Sequence, residues 1–168
     1  MPLYFAYGSN MSETKLRHRL QHNHSALKRR RAILRDHRLA FEKVSSTNPA
    51  VGYANVVAAS AHHVEGIVVE LNGDALAVLD GIELVPYHYD RAETIVTDCT
   101  SGLEVTAYVY TAHPSWIRPG LKPLRSYVEG LMQGADLLSP QYVAMLSSIE
   151  CYEDAAQGQI VPRAQETA

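Results

Sequence analysis

Glu83 is the first acid that invites a chemical reading. It stands in the run Leu79-Asp80-Gly81-Ile82-Glu83-Leu84-Val85. A carboxylate among Ile82, Leu84 and Val85 is desolvated, which raises its pKa and suits it to proton transfer near neutrality. Taken alone, the stretch also reads as an exposed loop carboxylate, with Asp80 the nearest competing acid. Near the N-terminus, Tyr7-Gly8-Ser9-Asn10 is turn chemistry. Between an apolar run and a helix start, such a turn aims backbone N–H groups at an anion. Gly8 permits close approach and unusual φ, and Ser9 and Asn10 add side-chain donors. Many strand–helix turns share this composition, so its weight comes from its neighbours.

Ten Tyr against two Phe and one Trp is a skewed aromatic content. Tyr87, Tyr89, Tyr108, Tyr110 and Tyr127 fall in a strand-rich region and the helix after it. Buried tyrosines need hydrogen-bond partners, which a small polar cavity supplies; a half-exposed sheet face is the other reading. The histidines carry little. His18 and His22 sit at i, i+4, His22 and His24 alternate near a helix end, and His62-His63 are adjacent. A metal needs three or four convergent ligands, and the HRLQH run lacks the zincin glutamate, so no metal site is expected. No phosphate-loop, dinucleotide or nucleophile-elbow motif is present. Cys99 and Cys151 lack a nucleophile's context, form no CxxC pair, and read as structural.

The elements that must position these groups follow from punctuation and periodicity. Residues 2–6 (PLYFA) predict a strand, and Ser12 caps a helix with Leu16 and Leu20 one turn apart. Residues 31–41 predict a strand with a bend, and residues 45–49 a loop. Residues 52–58, 64–71, 89–97 and 103–110 are β-branched or aromatic segments bounded by turn residues. A short helix is predicted at 73–80. Residues 123–133 carry Leu124, Val128, Leu131 and Met132 at helical spacing, and Ser139-Pro140 is an N-cap followed by proline at N1. The domain is expected to end near residue 150, with a fraying tail over 151–168. This order implies an α+β fold with a mixed or antiparallel sheet able to curl into a barrel.

The chain has 168 residues, enough for one domain with its own core. Its formal charge of −3 is uneven. Residues 13–38 carry nine Lys/Arg against Glu13 and Asp36, a net of +7, and the remainder carries −10. Such a block reads as a solvated helix and turn, as an attractor of anionic small molecules, or as an RNA site. The RNA reading lacks interleaved aromatics for base stacking. No run of about 18 apolar residues is present, so no membrane partner is expected. The start MPLYFAYGSN has no signal-peptide pattern, and a cytoplasmic location is expected.

Seven pieces, in order, resemble the γ-glutamylcyclotransferases of the small, single-domain type, a group that includes γ-glutamylamine cyclotransferases and BtrG-type enzymes. They are Tyr4-Phe5-Ala6-Tyr7-Gly8-Ser9-Asn10-Met11; Gly52-Tyr53-Ala54-Asn55-Val56; Val64-Glu65-Gly66-Ile67-Val68; Leu79-Asp80 with Glu83; Tyr89 with Arg91; Tyr108-Val109-Tyr110; and Tyr127 seven residues before Gly134-Ala135. The resemblance in order and spacing extends over residues 3 to about 148. The resemblance implies a small, mostly antiparallel β-barrel with flanking helices and a pocket at the Tyr7–Asn10 turn. It implies Glu83 as acid/base, Tyr110 and Tyr127 lining the pocket, and Tyr89 near it. Leu84 departs from it, since the family commonly has glycine there.

The implied reaction cyclises a γ-glutamyl amide to 5-oxoproline and releases an amine or amino acid. The substrate's α-ammonium must lose a proton before it attacks the γ-carbonyl carbon, and the oxyanion then needs fixed donors. Glu83 would take that proton and return it to the leaving amine. The turn amides of Gly8, Ser9 and Asn10 would anchor substrate oxygens. No cofactor is required, and the resemblance allows a homodimer. The alternative is a non-catalytic small-molecule-binding protein on the same fold.

Overall fold

The computed structural model describes residues 1–21 and 26–154. Five strands form a closed barrel: β1 (Leu3–Ala6), β2 (Arg29–Val44), β3 (Gly52–Glu70), β4 (Tyr89–Asp98) and β5 (Glu104–Ala112), in the order β1-β3-β2-β4-β5. The pairings are antiparallel except where β1 meets β5 in parallel, at Tyr4 and Tyr108, to close the ring. Its short, apolar β1 inserts between β3 and β5, so Phe5 and Ala6 are fully buried. Val64, Ile67, Val68 and Val69 of β3 and Val96 of β4 are likewise buried, successive β3 side chains lying on opposite faces of the sheet. Gly66 is required by close approach, because a Cβ there would lie 2.4 Å from the Ala6 carbonyl oxygen and 2.6 Å from the Phe5 ring.

The segments predicted at 52–58 and 64–71 belong to one 19-residue strand. Its register against β2 breaks between the Arg35–His63 and His37–Ala58 pairs. Asp36 and Ala61 take left-handed backbone there (φ 54° and 62°), and Ala61 N donates to Asp36 Oδ1 at 3.1 Å. The two left-handed residues shift the register without ending either strand, so one strand spans both predicted segments.

Four helices flank the barrel: α1 (Glu13–Arg19), α2 (Gly73–Ile82), α3 (Arg125–Met132) and α4 (Pro140–Ser147). The predicted caps hold. Ser12 Oγ accepts from Lys15 N at 3.4 Å, and Ser139 Oγ accepts from Tyr142 N at 3.2 Å. Buried Glu65 on β3 ties α4 to the barrel by accepting from Ser139 N (2.8 Å) and Ser139 Oγ (2.6 Å). Residues 151–154, expected to fray, are instead held at the start of α3. Arg125 N donates to Tyr152 O, Tyr152 N donates to Pro123 O, and Asp154 accepts from Ser126 N, each at 2.8 Å. The rest of the predicted tail, and His22 and His24, lie outside the described residues. No helix among the described residues is long and apolar enough to cross a membrane.

Candidate active site

One cavity of about 310 Å³ opens at the end of the barrel where β1 runs into the Tyr7–Asn10 turn. Tyr7, Gly8, Ser9, Asn10, Glu83, Tyr89, Tyr110 and Tyr127 all line it. The structure therefore brings together every site residue predicted from sequence.

Glu83 owes its position to the end of α2. Val85 N donates to Asp80 O (2.9 Å) and Leu84 N to Gly81 O (3.3 Å), the paired bonds of a Schellman motif with Glu83 as the C-cap residue. The residue after the cap takes left-handed backbone in this motif, and Leu84 does so at φ 53°. Glycine meets that demand without a Cβ penalty. The sequence departure at 84 is thus a leucine in a glycine's conformation, which lines the cavity and is about half exposed. Asp80, the competing acid, is engaged elsewhere. It accepts from Tyr110 Oη at 2.8 Å and from Arg91 Nη1 at 2.5 Å, fastening α2 to β4 and β5.

The turn meets the acid through Asn10. Residues 9–11 form a 3-10 turn in which Met11 N donates back to Gly8 O at 3.0 Å. Buried Asn10 then spends its whole amide: Nδ2 donates to Glu83 Oε1 (3.1 Å) and to Tyr4 Oη (2.9 Å), and Oδ1 accepts from Arg19 Nη1. Arg19 Nη1 also stands 3.4 Å from Glu83 Oε1. Burial raises the Glu83 pKa, while Arg19, Asn10, Lys43 and Lys15 pull it back down. The side chain is 18% exposed, so it faces the cavity rather than bulk water.

Gly8 is extended (φ −118°), not in an unusual conformation. A Cβ there would sit 3.6 Å from Tyr127 Oη and 3.7 Å from the Ala54 side chain, an ordinary contact. The close approach lies instead at Gly134, where a Cβ would come within 2.4 Å of Met11 Cβ and push the end of α3 off the turn. That contact explains why glycine follows Tyr127 at this spacing.

The tyrosines are braced individually. Tyr7 Oη donates to Tyr110 O at 2.5 Å, Tyr127 Oη accepts from Ala54 N at 3.2 Å, and Tyr89 Oη donates to Ala54 O at 3.4 Å. Burial is the leading cause that holds the Tyr4, Tyr7, Tyr89, Tyr110 and Tyr127 phenols above their ordinary range, so all remain neutral donors. Tyr87, by contrast, is 75% exposed and lies outside the cavity.

Sequence reasoning missed Tyr4, Lys15, Arg19, Lys43, Tyr53 and His88, which also line the cavity. Lys15 and Arg19 stand at i, i+4, so their shared helix face was open to inference. Lys43 gave no local signal. In β2, Phe41 and Glu42 together oppose Ala54, and this bulge leaves Ala40 and Lys43 both buried although three residues apart.

The Gamma-glutamyl cyclotransferase, AIG2-like family matches residues 4–130. The chain belongs to this family. Every residue lining the cavity falls within the matched span. A solved structure named Gamma-glutamyl cyclotransferase is similar at TM-score 0.78 and 26% identity, over 95% of this chain and 93% of its own. An uncharacterized protein from Homo sapiens is similar at TM-score 0.77 and 28% identity, over 95% and 93% of the two chains. YkqA from Bacillus subtilis shares the fold at TM-score 0.72 and 21% identity, over 90% of this chain and 56% of its own. No curated protein matches the chain.

Proposed function

We propose that the protein cyclises a γ-glutamyl amide to 5-oxoproline and releases an amine or amino acid, with Glu83 as general acid/base. The observation that carries this reading is the Asn10–Glu83 contact of 3.1 Å, which joins the turn and the acid in one cavity. Family membership supports the reaction class.

The substrate's α-ammonium is placed at Glu83, whose raised pKa makes it a better proton acceptor than an ordinary surface carboxylate. Removal of one proton exposes the nitrogen lone pair. The amine attacks the γ-carbonyl carbon, the C–N bond of the ring forms, and the carbonyl electrons move onto oxygen. Fixed donors take up that charge. The candidates are the turn amides of Gly8, Ser9 and Asn10 and the Tyr4 hydroxyl, which accepts from Asn10 and keeps its own proton to give. Glu83 then returns its proton to the leaving nitrogen as the oxyanion electrons re-form the carbonyl and the amide bond breaks, and it takes the second proton from the ring nitrogen and passes it to the freed amine, which leaves as an ammonium. Proton and electron counts close without an external acceptor.

The test is 5-oxoproline release from a panel of γ-glutamyl compounds. The wild-type protein is expected to turn over at least one of them. Glu83→Gln is expected to lose about 10²–10⁴-fold in kcat while keeping its circular dichroism spectrum. Undiminished turnover by the folded variant removes Glu83 from the role. Tight binding by the wild-type protein with no product would instead favour a binding protein on this fold.

A further inference from the structure

Lys43 is a buried cation, 3% exposed, on the cavity wall. Its surroundings differ from those of Glu83. His88 Nδ1 is 3.2 Å from its ammonium, and the rings of Trp116, Tyr89 and Tyr53 lie 4.7, 5.4 and 5.9 Å away. The His88 ring is packed against Trp116 at 3.7 Å, which fixes one wall of the box. Among the described residues, no carboxylate comes within ion-pair reach of this ammonium; the acid of the cavity, Glu83, pairs with Arg19. An ammonium has three protons to donate, and the contact with His88 accounts for one.

A buried charge without a counter-ion is costly, and cation–π contacts offset only part of that cost. Burial pulls the Lys43 pKa down and the charge of Glu83 pulls it up. Burial and the neighbouring ammonium lower the pKa of His88, which keeps its ring neutral and Nδ1 able to accept. The protein thus holds a desolvated cation on the cavity wall with one hydrogen-bond partner for its three ammonium protons, and an anionic ligand would complete it.

Resting on the cyclisation reading above, we infer that Lys43 receives a carboxylate on the leaving half of the substrate, so that the preferred substrates are γ-glutamyl amino acids rather than γ-glutamyl alkylamines. The carboxylate of the cyclising half shares a carbon with the reacting amine. It therefore lands beside Glu83, where Arg19 and the turn amides already stand. Lys43 is out of ion-pair reach of Glu83 and suits a second anion farther along the substrate. The aromatic box leaves no carboxylate of the protein to compete for it.

The experiment compares γ-glutamylalanine with γ-glutamylethylamide, which differ only by that carboxylate. The wild-type protein is expected to favour the alanine compound by about 10–100-fold in kcat/KM, the range of a charge-assisted hydrogen bond. Lys43→Met, which keeps the apolar stem, is expected to bring this ratio close to one, and Lys43→Arg to restore part of it. A ratio that Lys43→Met does not move overturns the inference, as does an equal loss on both compounds, which would place Lys43 on the carboxylate they share. If the wild-type protein turns over neither compound, the cyclisation reading fails separately, and calorimetric Kd values for the same pair test the subsite. A preference in Kd that Lys43→Met removes upholds it; equal Kd values or no binding overturn it. Near-UV circular dichroism of the variants checks that the aromatic box remains packed.

Discussion

Burying Glu83 costs the folded state free energy whenever its carboxyl is ionised, because desolvation outweighs the help from Arg19 and Asn10. A carboxyl with a raised folded-state pKa lowers stability at pH above both its values. That cost disappears once the pH falls below the ordinary glutamate range, where folded and unfolded chains both hold the proton. Glu83→Gln is therefore expected to raise Tm at pH 7–8, with the gain shrinking as the pH falls toward about 4. A Tm scan of both proteins across this range checks it, and a gain largest at low pH would contradict it. If Glu83 is the base proposed above, the acid limb of the wild-type kcat/KM profile is expected above the ordinary glutamate pKa. Tyr127 makes a separate claim. Its hydroxyl is the acceptor for Ala54 N, so Tyr127→Phe strands a backbone donor at a cost of about 1–3 kcal/mol. Tm is expected to fall by roughly 2–10 °C, with KM raised or kcat lowered because the same hydroxyl lies beside Gly8 and both residues line the cavity. Wild-type Tm and kinetics would return Tyr127 to simple packing.

At the scale of elements, the end of α2 is the decisive piece. The Schellman bonds from Val85 and Leu84 fix the C-cap residue, and the C-cap residue is the proposed base. Leu84 holds left-handed backbone at a cost of about 1–2 kcal/mol. Its side chain is 49% exposed, so it regains little by packing. Leu84→Gly is expected to leave Tm unchanged or raise it by a few degrees. Leu84→Val, with a β-branched side chain still less suited to this region, is expected to lower it. Thermal unfolding of the two variants side by side decides the matter; a Tm for the glycine variant below that of the valine variant would mean the leucine contacts dominate. The turn is fixed in the same manner from the other side, by Gly134 at the end of α3, where Met11 leaves no room for a Cβ.

For the molecule as a whole, the candidate site depends on closing the ring. The turn sits at the end of β1, and Glu83 sits on a helix carried between β3 and β4. They meet only because β1 pairs with both β3 and β5. Gly66 is where that closure is tightest. Gly66→Ala would drive a methyl into the Ala6 carbonyl oxygen and the Phe5 ring. It is expected to cost about 3 kcal/mol or more and to lower Tm by roughly 6 °C or more, removing activity and structure together. Denaturant unfolding checks this, and a midpoint equal to that of the wild type would show that β1 can shift without penalty.

The local chemistry was legible in the amino-acid order. Alternating apolar and β-branched residues predicted the strands, and Ser12 and Ser139-Pro140 predicted the helix starts, because backbone preferences and side-chain types act over a few residues. The Tyr7–Asn10 turn and Glu83 stood out only through the order of all seven family-like pieces, since locally they also read as an ordinary turn and an exposed loop carboxylate. Neighbourhood was not. Nothing near Glu83 in sequence announces Asn10, 73 residues away, or Arg19, 64 residues away, as its partners. Nothing near Lys43 announces a buried box built from β3, β4 and the segment after β5. Burial, desolvation and the charge balance of the cavity are sums over groups from distant parts of the chain. Barrel closure and a two-against-one bulge in β2 decided them, and these arise only when all five strands are paired.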